Sequence, residues 1–87
     1  MRGVATMTRN TRGYTSGFVQ AVNAADPAHP GVRLAKLCIK LDVPIASIAP
    51  KLGVTRATIY NWAIGKYHPT REHLPKIERL MNRLSQA

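Results

Sequence analysis

Residues 45–66, IASIAPKLGVTRATIYNWAIGK, place two short apolar-patterned segments on either side of Gly53-Val54-Thr55. Two helices can be joined by so short a link only if the turn tolerates a left-handed residue, which glycine does without steric cost. Thr55 is then placed to cap the second helix through its hydroxyl. Where the two backbones cross, a small side chain is needed, and Ala49 supplies it. Ile48, Leu52, Val54, Ile59 and Trp62 supply apolar anchors that fix the crossing angle. With Ala49 and Gly53 these make seven constrained positions at fixed offsets, which leaves few folds open. Such a pair cannot bury its own apolar side, so the rest of the chain has to close over it.

The flanking segments read as helices that do so. Leu34, Leu37, Cys38 and Leu41 fall at the i, i+3, i+4, i+7 spacing of a buried stripe within residues 32–41, with Arg33, Lys36 and Lys40 on the other side. Pro44 is placed to open the next helix, and Pro50 inside it predicts a kink or a short, tight turn, because proline lacks the N–H that a regular helix uses. Pro75 opens a last helix whose Ile77, Leu80, Met81 and Leu84 share one face. Upstream, Tyr14, Phe18 and Val22 recur every fourth residue and predict a short helix from Ser16. Residues 26–31, with two prolines and a glycine, read as a turn or linker. No stretch of more than a few residues alternates with period two. The expectation is an all-α, compact domain of four to five helices over residues 16–87, preceded by a flexible basic arm over residues 1–15. At 87 residues there is room for one small core and none for a separate catalytic domain.

The pattern of residues 45–66 is that of a helix-turn-helix, and the sequence resembles the lambda-repressor/Cro-like family, rich in small phage-type regulators. The resemblance runs from Val32 to Leu84 and includes Trp62, Gly65-Lys66 and Leu74-Pro75-Lys76-Ile77. It implies a transcription regulator, such as a repressor, that reads double-stranded DNA by laying the helix over residues 55–64 in the major groove. Periodicity agrees. If Ile59 and Trp62 face the core, then Ala57, Tyr60, Asn61 and Ile64 point the opposite way, flanked by Arg56 and Thr58. The resemblance puts Thr55, Arg56, Ala57 and Asn61 at the family's main DNA-contacting positions, with Tyr60 beside them. Arg56 can grip guanine O6 and N7, and Asn61 can pair with adenine N6 and N7. Lys51, Thr58, Lys66 and Arg71 are candidate phosphate contacts.

Charge points to the same partner. Against 13 Lys and Arg there are 4 Asp and Glu, a formal net charge of +9, which makes a polyanion the default ligand. Between Asp42 and Glu72 no acidic residue interrupts the motif. Arg9 or Arg12 of the arm could add a minor-groove contact.

The sequence departs from the family pattern at four places. Ile45 stands where many relatives carry a phosphate-binding glutamine. Cys38 and Ala63 stand where many relatives pair an arginine with a glutamate, so apolar packing replaces that ion pair. Pro50 interrupts the first helix of the motif. The chain also ends where the family places a further helix, a gap that the helix near Phe18 could fill. The alternative reading is therefore a phage-type module that uses this fold to bind and modulate a host protein, such as the transcription machinery. For the DNA reading, a homodimer on two half-sites is expected, with Ile64 and the Met81/Leu84 end of the last helix as candidate dimer surfaces.

Other chemistries have little to stand on. His29, His68 and His73 lie near prolines without the company of a zinc set, and read as turn residues. Ser16, Ser47 and Ser85 lack a nearby histidine plus carboxylate, so no enzyme is expected, and neither is a metal or a cofactor. Lone Cys38 reads as a small core residue. No apolar run approaches the roughly 20 residues of a membrane span, and the N-terminus lacks a secretory apolar core, so the expected location is the cytoplasm of a bacterial or phage-infected cell, at its nucleoid.

Overall fold

The computed structural model describes residues 14–86, and among them all regular structure is helical. The elements run α1 (Ser16–Ala24), α2 (Pro30–Leu41), a 3₁₀ turn (Ile45–Ser47), α3 (Ala49–Leu52), α4 (Arg56–Ala63) and α5 (Leu74–Gln86). This is the five-helix, all-α architecture that the periodicities predict.

α2 is the central strut, packed by α1, α4 and α5. Its stripe of Val32, Leu34, Ala35 and Cys38 is fully buried. Burial pushes the Cys38 thiol up to about 11, so it packs as a small neutral group. Two expectations about this helix are corrected. Pro30 and Gly31 are its first turn rather than linker, since a proline there has no hydrogen bond to lose. Leu41, expected inside, is 40% exposed. It is the last helical residue, and Asp42 adopts a left-handed conformation, φ 59°, that carries the chain out of the helix.

Gly31 is the tightest point of the core. A Cβ built there would stand 2.4 Å from the Trp62 carbonyl oxygen and 2.6 Å from its Cβ. Absence of a side chain lets α2 and α4 approach to backbone contact, and this sets how far α4 sinks into the core.

Pro50 resolves the first helix of the motif into two pieces, the 3₁₀ turn and the single turn of α3. At the second position of α3 its missing N–H falls among the groups that a helix start leaves unbonded anyway. The tight turn anticipated at this residue is thus what forms. Ile45, Ile48, Ala49 and Leu52 all remain buried. Gly53 then ends α3 at φ 71°, in the left-handed region. α5 begins one residue before Pro75 and buries Ile77, Leu80 and Met81 against α2.

α1 is held at its start by the two residues that precede it. Thr15 Oγ1 accepts from the Phe18 N–H at 3.1 Å, and the Tyr14 hydroxyl donates to the carbonyl of Val43. Burial, reinforced by nearby Cys38 and partly offset by the Ile45 N–H, pushes that hydroxyl up to about 12, so it keeps the proton it donates. Tyr14 and Thr15, assigned by sequence to the arm, belong to the folded part. Residues 1–13, with Arg9 and Arg12, lie outside the described residues.

Candidate nucleic-acid interface

α4 presents two chemically different sides. Its inner side, Ile59, Trp62 and Ala63, is buried to within a few per cent. Its first turn is capped by Thr55, whose Oγ1 accepts from the Thr58 N–H at 3.2 Å and donates to the Thr58 hydroxyl at 2.9 Å. Because the cap and the buried anchors fix the axis and rotation of the helix, the outer residues are held on a rigid support.

Arg56 and Ala57 are exposed on that outer side, Tyr60 is 36% exposed and Asn61 is half-buried. Thr55 is also exposed, although its hydroxyl is occupied by the cap. The structure therefore gathers Thr55, Arg56, Ala57, Tyr60 and Asn61 on and beside one helix. Ile64 departs from expectation. It is half-buried and packs on the core, because the helix has already ended at Ala63 and its backbone turns there. Met81, proposed from sequence as a dimer surface, is only 7% exposed, and Leu84 is half-buried against the same core.

The Tyr60 ring is not free to swing. Phe18 of α1 meets it edge-on with ring centroids 5.2 Å apart, and Tyr14 stacks on Phe18 at 5.5 Å. Such aromatic pairs contribute about 0.5–1.5 kcal/mol beyond their buried area. The N-terminal helix thus supports one residue of the outer face directly, a role that its period-four pattern alone does not disclose.

The expected phosphate contacts divide between separate places. Lys51 is exposed on α3, Thr58 is half-buried on α4, and Lys66 and Arg71 are exposed in the loop after α4. That loop is fixed in an unexpected way. His29, read from sequence as a turn residue, is 4% exposed. Its Nδ1 accepts from the N–H groups of Gly31 and Val32 at 3.0 and 3.4 Å, capping α2, while Nε2 lies 2.9 Å from the Tyr67 carbonyl oxygen. Only the neutral tautomer with its hydrogen on Nε2 satisfies all three. One imidazole therefore ties the loop carrying Lys66 to the start of α2. His68 packs on the His29 ring at 4.3 Å, and His73 meets Trp62 edge-on at 5.2 Å. The clue in the sequence was a side-chain acceptor directly before Pro30, the residue that opens a helix.

A capped, core-anchored helix preceded by a glycine turn and a short supporting helix defines a helix-turn-helix domain. A profile of the family described as Helix-turn-helix matches residues 34–85, more than half of the chain, and the protein belongs to this lambda-repressor/Cro-like family of DNA-binding regulators. No curated protein and no solved structure matches the chain significantly. α1, His29 and Gly31 lie outside the matched residues. No helix of the described residues is long and apolar enough to cross a membrane.

Proposed function

We propose that the protein is a sequence-specific regulator of transcription that inserts α4 into the major groove of double-stranded DNA. What carries this reading is the division of α4 into a buried anchoring side and an exposed, acid-free side bearing Arg56, Ala57 and Tyr60, with half-buried Asn61 beside them. A B-form major groove, about 12 Å wide, accepts a helix of this kind. Arg56 reads guanine through its planar fork, and Asn61 reads adenine through its amide. Ala57 offers a methyl to thymine, and Tyr60, braced by Phe18, offers its hydroxyl to a base or phosphate. Thr55, with its hydroxyl committed to the cap, sets how closely the start of α4 approaches. Lys66 and Arg71, together with Lys51 and Thr58, fix register on the phosphates.

In-vitro selection from random duplexes is the direct test. Recovery of a defined site supports the proposal, and a palindrome with half-sites about 34–36 Å apart would add that two copies bind together. Failure to enrich any sequence would sink it. Within the recovered site, Arg56→Ala should relax preference at one position, whereas Lys66→Ala should weaken all duplexes alike and flatten the salt slope by about one unit.

A further inference from the structure

His29 precedes the part of the chain that matches the family, and its buried ring makes three hydrogen bonds. Two are ordinary capping, in which Nδ1 accepts from the Gly31 and Val32 N–H groups at the start of α2. Asparagine, serine or aspartate would serve there as well, and they are the commoner caps. What an imidazole adds is a donor on its opposite edge. Nε2 lies 2.9 Å from the Tyr67 carbonyl oxygen, 38 residues further along the chain.

That bond falls at a particular place. The segment after α4 is fixed at its start, where Gly65 turns at φ 78° and the Lys66 N–H donates to the Asn61 carbonyl at 2.9 Å. Buried Pro69 fixes its end. In between, Lys66, Tyr67 and His68 are all exposed, and His29 holds the backbone at the middle one of the three. Lys66 Nζ stands 5.6 Å from the centre of the Tyr67 ring, so the charged side chain rests on the residue that is tethered.

We infer that His29 is a positioning residue for DNA binding: its Nε2–H bond to Tyr67 presets the backbone from which Lys66 reaches a phosphate. The inference rests on the reading of α4 given above. Lys66 follows the last residue of α4 by three positions, so a duplex that receives α4 brings the edge of its groove to this loop. A cation on a preset backbone gives up less freedom on binding than one on a mobile loop. The tether thus explains why a histidine, rather than a commoner cap, opens α2.

The test uses the full chain, the selected duplex and a variant that keeps the cap. In His29→Asn the side-chain oxygen still caps α2 while the Tyr67 carbonyl loses its donor, which separates fold from tether. Fluorescence anisotropy should show His29→Asn binding the duplex about fivefold more weakly than the parent at low salt. Because His29 acts through Lys66, the same change made in the Lys66→Ala background should cost less than about twofold. A purely structural histidine would cost the same factor in both backgrounds. Thermal melting checks that the variants are folded. Nitrogen-15 relaxation of the DNA-free parent needs no variant and decides the matter if His29→Asn does not fold. The Lys66, Tyr67 and His68 amides should then show order parameters of about 0.85, as in a rigid helix. Values below about 0.6 overturn the inference. So does parent-like duplex affinity in folded His29→Asn, or a loss of equal size in the Lys66→Ala background. Each of these results sinks the inference alone, whereas a chain that selects no duplex sinks the reading of α4 and the inference with it.

Discussion

α4 and α5 are both amphipathic, both rest on α2 and both turn basic residues to solvent, yet their exposed sides differ in chemistry. The exposed side of α4 bears one cation, Arg56, among groups with fixed hydrogen-bonding geometry or defined shape. That of α5 bears three cations, Lys76, Arg79 and Arg83, at i, i+3 and i+7, with Glu78 on another face. Reading a base edge needs directional donors and acceptors in a known place, and crowded flexible charges would bind any polyanion equally. On the proposed function, density of charge is therefore the wrong guide to the reading surface. The helix with less of it is the better candidate.

The comparison breaks completely if the two helices lose their common support. Gly31→Ala pushes a methyl into the Trp62 backbone, so α2 and α4 must separate. Overpacking at so close a contact should cost about 3 kcal/mol, and for a domain of this size about 1 kcal/mol shifts the midpoint by 4–8 °C. A fall of more than 10 °C by calorimetry is expected, and an unchanged midpoint would show that the contact is slack. A sharper contrast comes from the surfaces alone. Arg56→Ala should lose about 1–3 kcal/mol of discrimination between the selected site and its single-base variants, while Arg79→Ala should leave that discrimination intact. Competition binding reads both, and equal losses would erase the distinction between the helices.

Smaller effects test how α1 enters. Phe18→Ala removes the edge contact on Tyr60 and should destabilise the fold by about 1 kcal/mol while broadening base preference at one position. If Tyr60→Phe alters the recovered site but Phe18→Ala does not, the bracing role is wrong. Tyr14→Phe removes the donor to the Val43 carbonyl and should cost about 1 kcal/mol near neutral pH. The pH dependence has a definite sign. A phenol near 10 when unfolded and about 12 when folded is held protonated by the fold, so its contribution is complete below pH 10 and is lost between pH 10 and 12. Parent and Tyr14→Phe stabilities, compared in urea, should therefore converge as the pH rises through that window.

Much of this was legible in the sequence because local pattern and tertiary role coincide. The stripes of α2 and α5, the glycine turn at Gly53 and the inner side of α4 depend on spacings within one element, which periodicity reports. The unread parts join residues far apart. Gly31 matters through Trp62, His29 through Tyr67, and Phe18 through Tyr60. Leu41 was misread for a related reason, since a period states which side a residue takes but not where the covering element stops. Ile64 fell to the same limit at the end of α4.

Pro30, Pro50 and Pro75 all lie within the first two residues of a helix. Each would cost about 3 kcal/mol a few positions later, and where they stand they cost almost nothing in the native state. Their effect falls on the disordered chain instead, whose backbone has fewer conformations to surrender at three places where helices must begin. That is worth about 0.4–1 kcal/mol apiece and requires no contact at all. A small core can then leave most of its outer residues uncommitted to stability, and those positions become free to change with the ligand they meet.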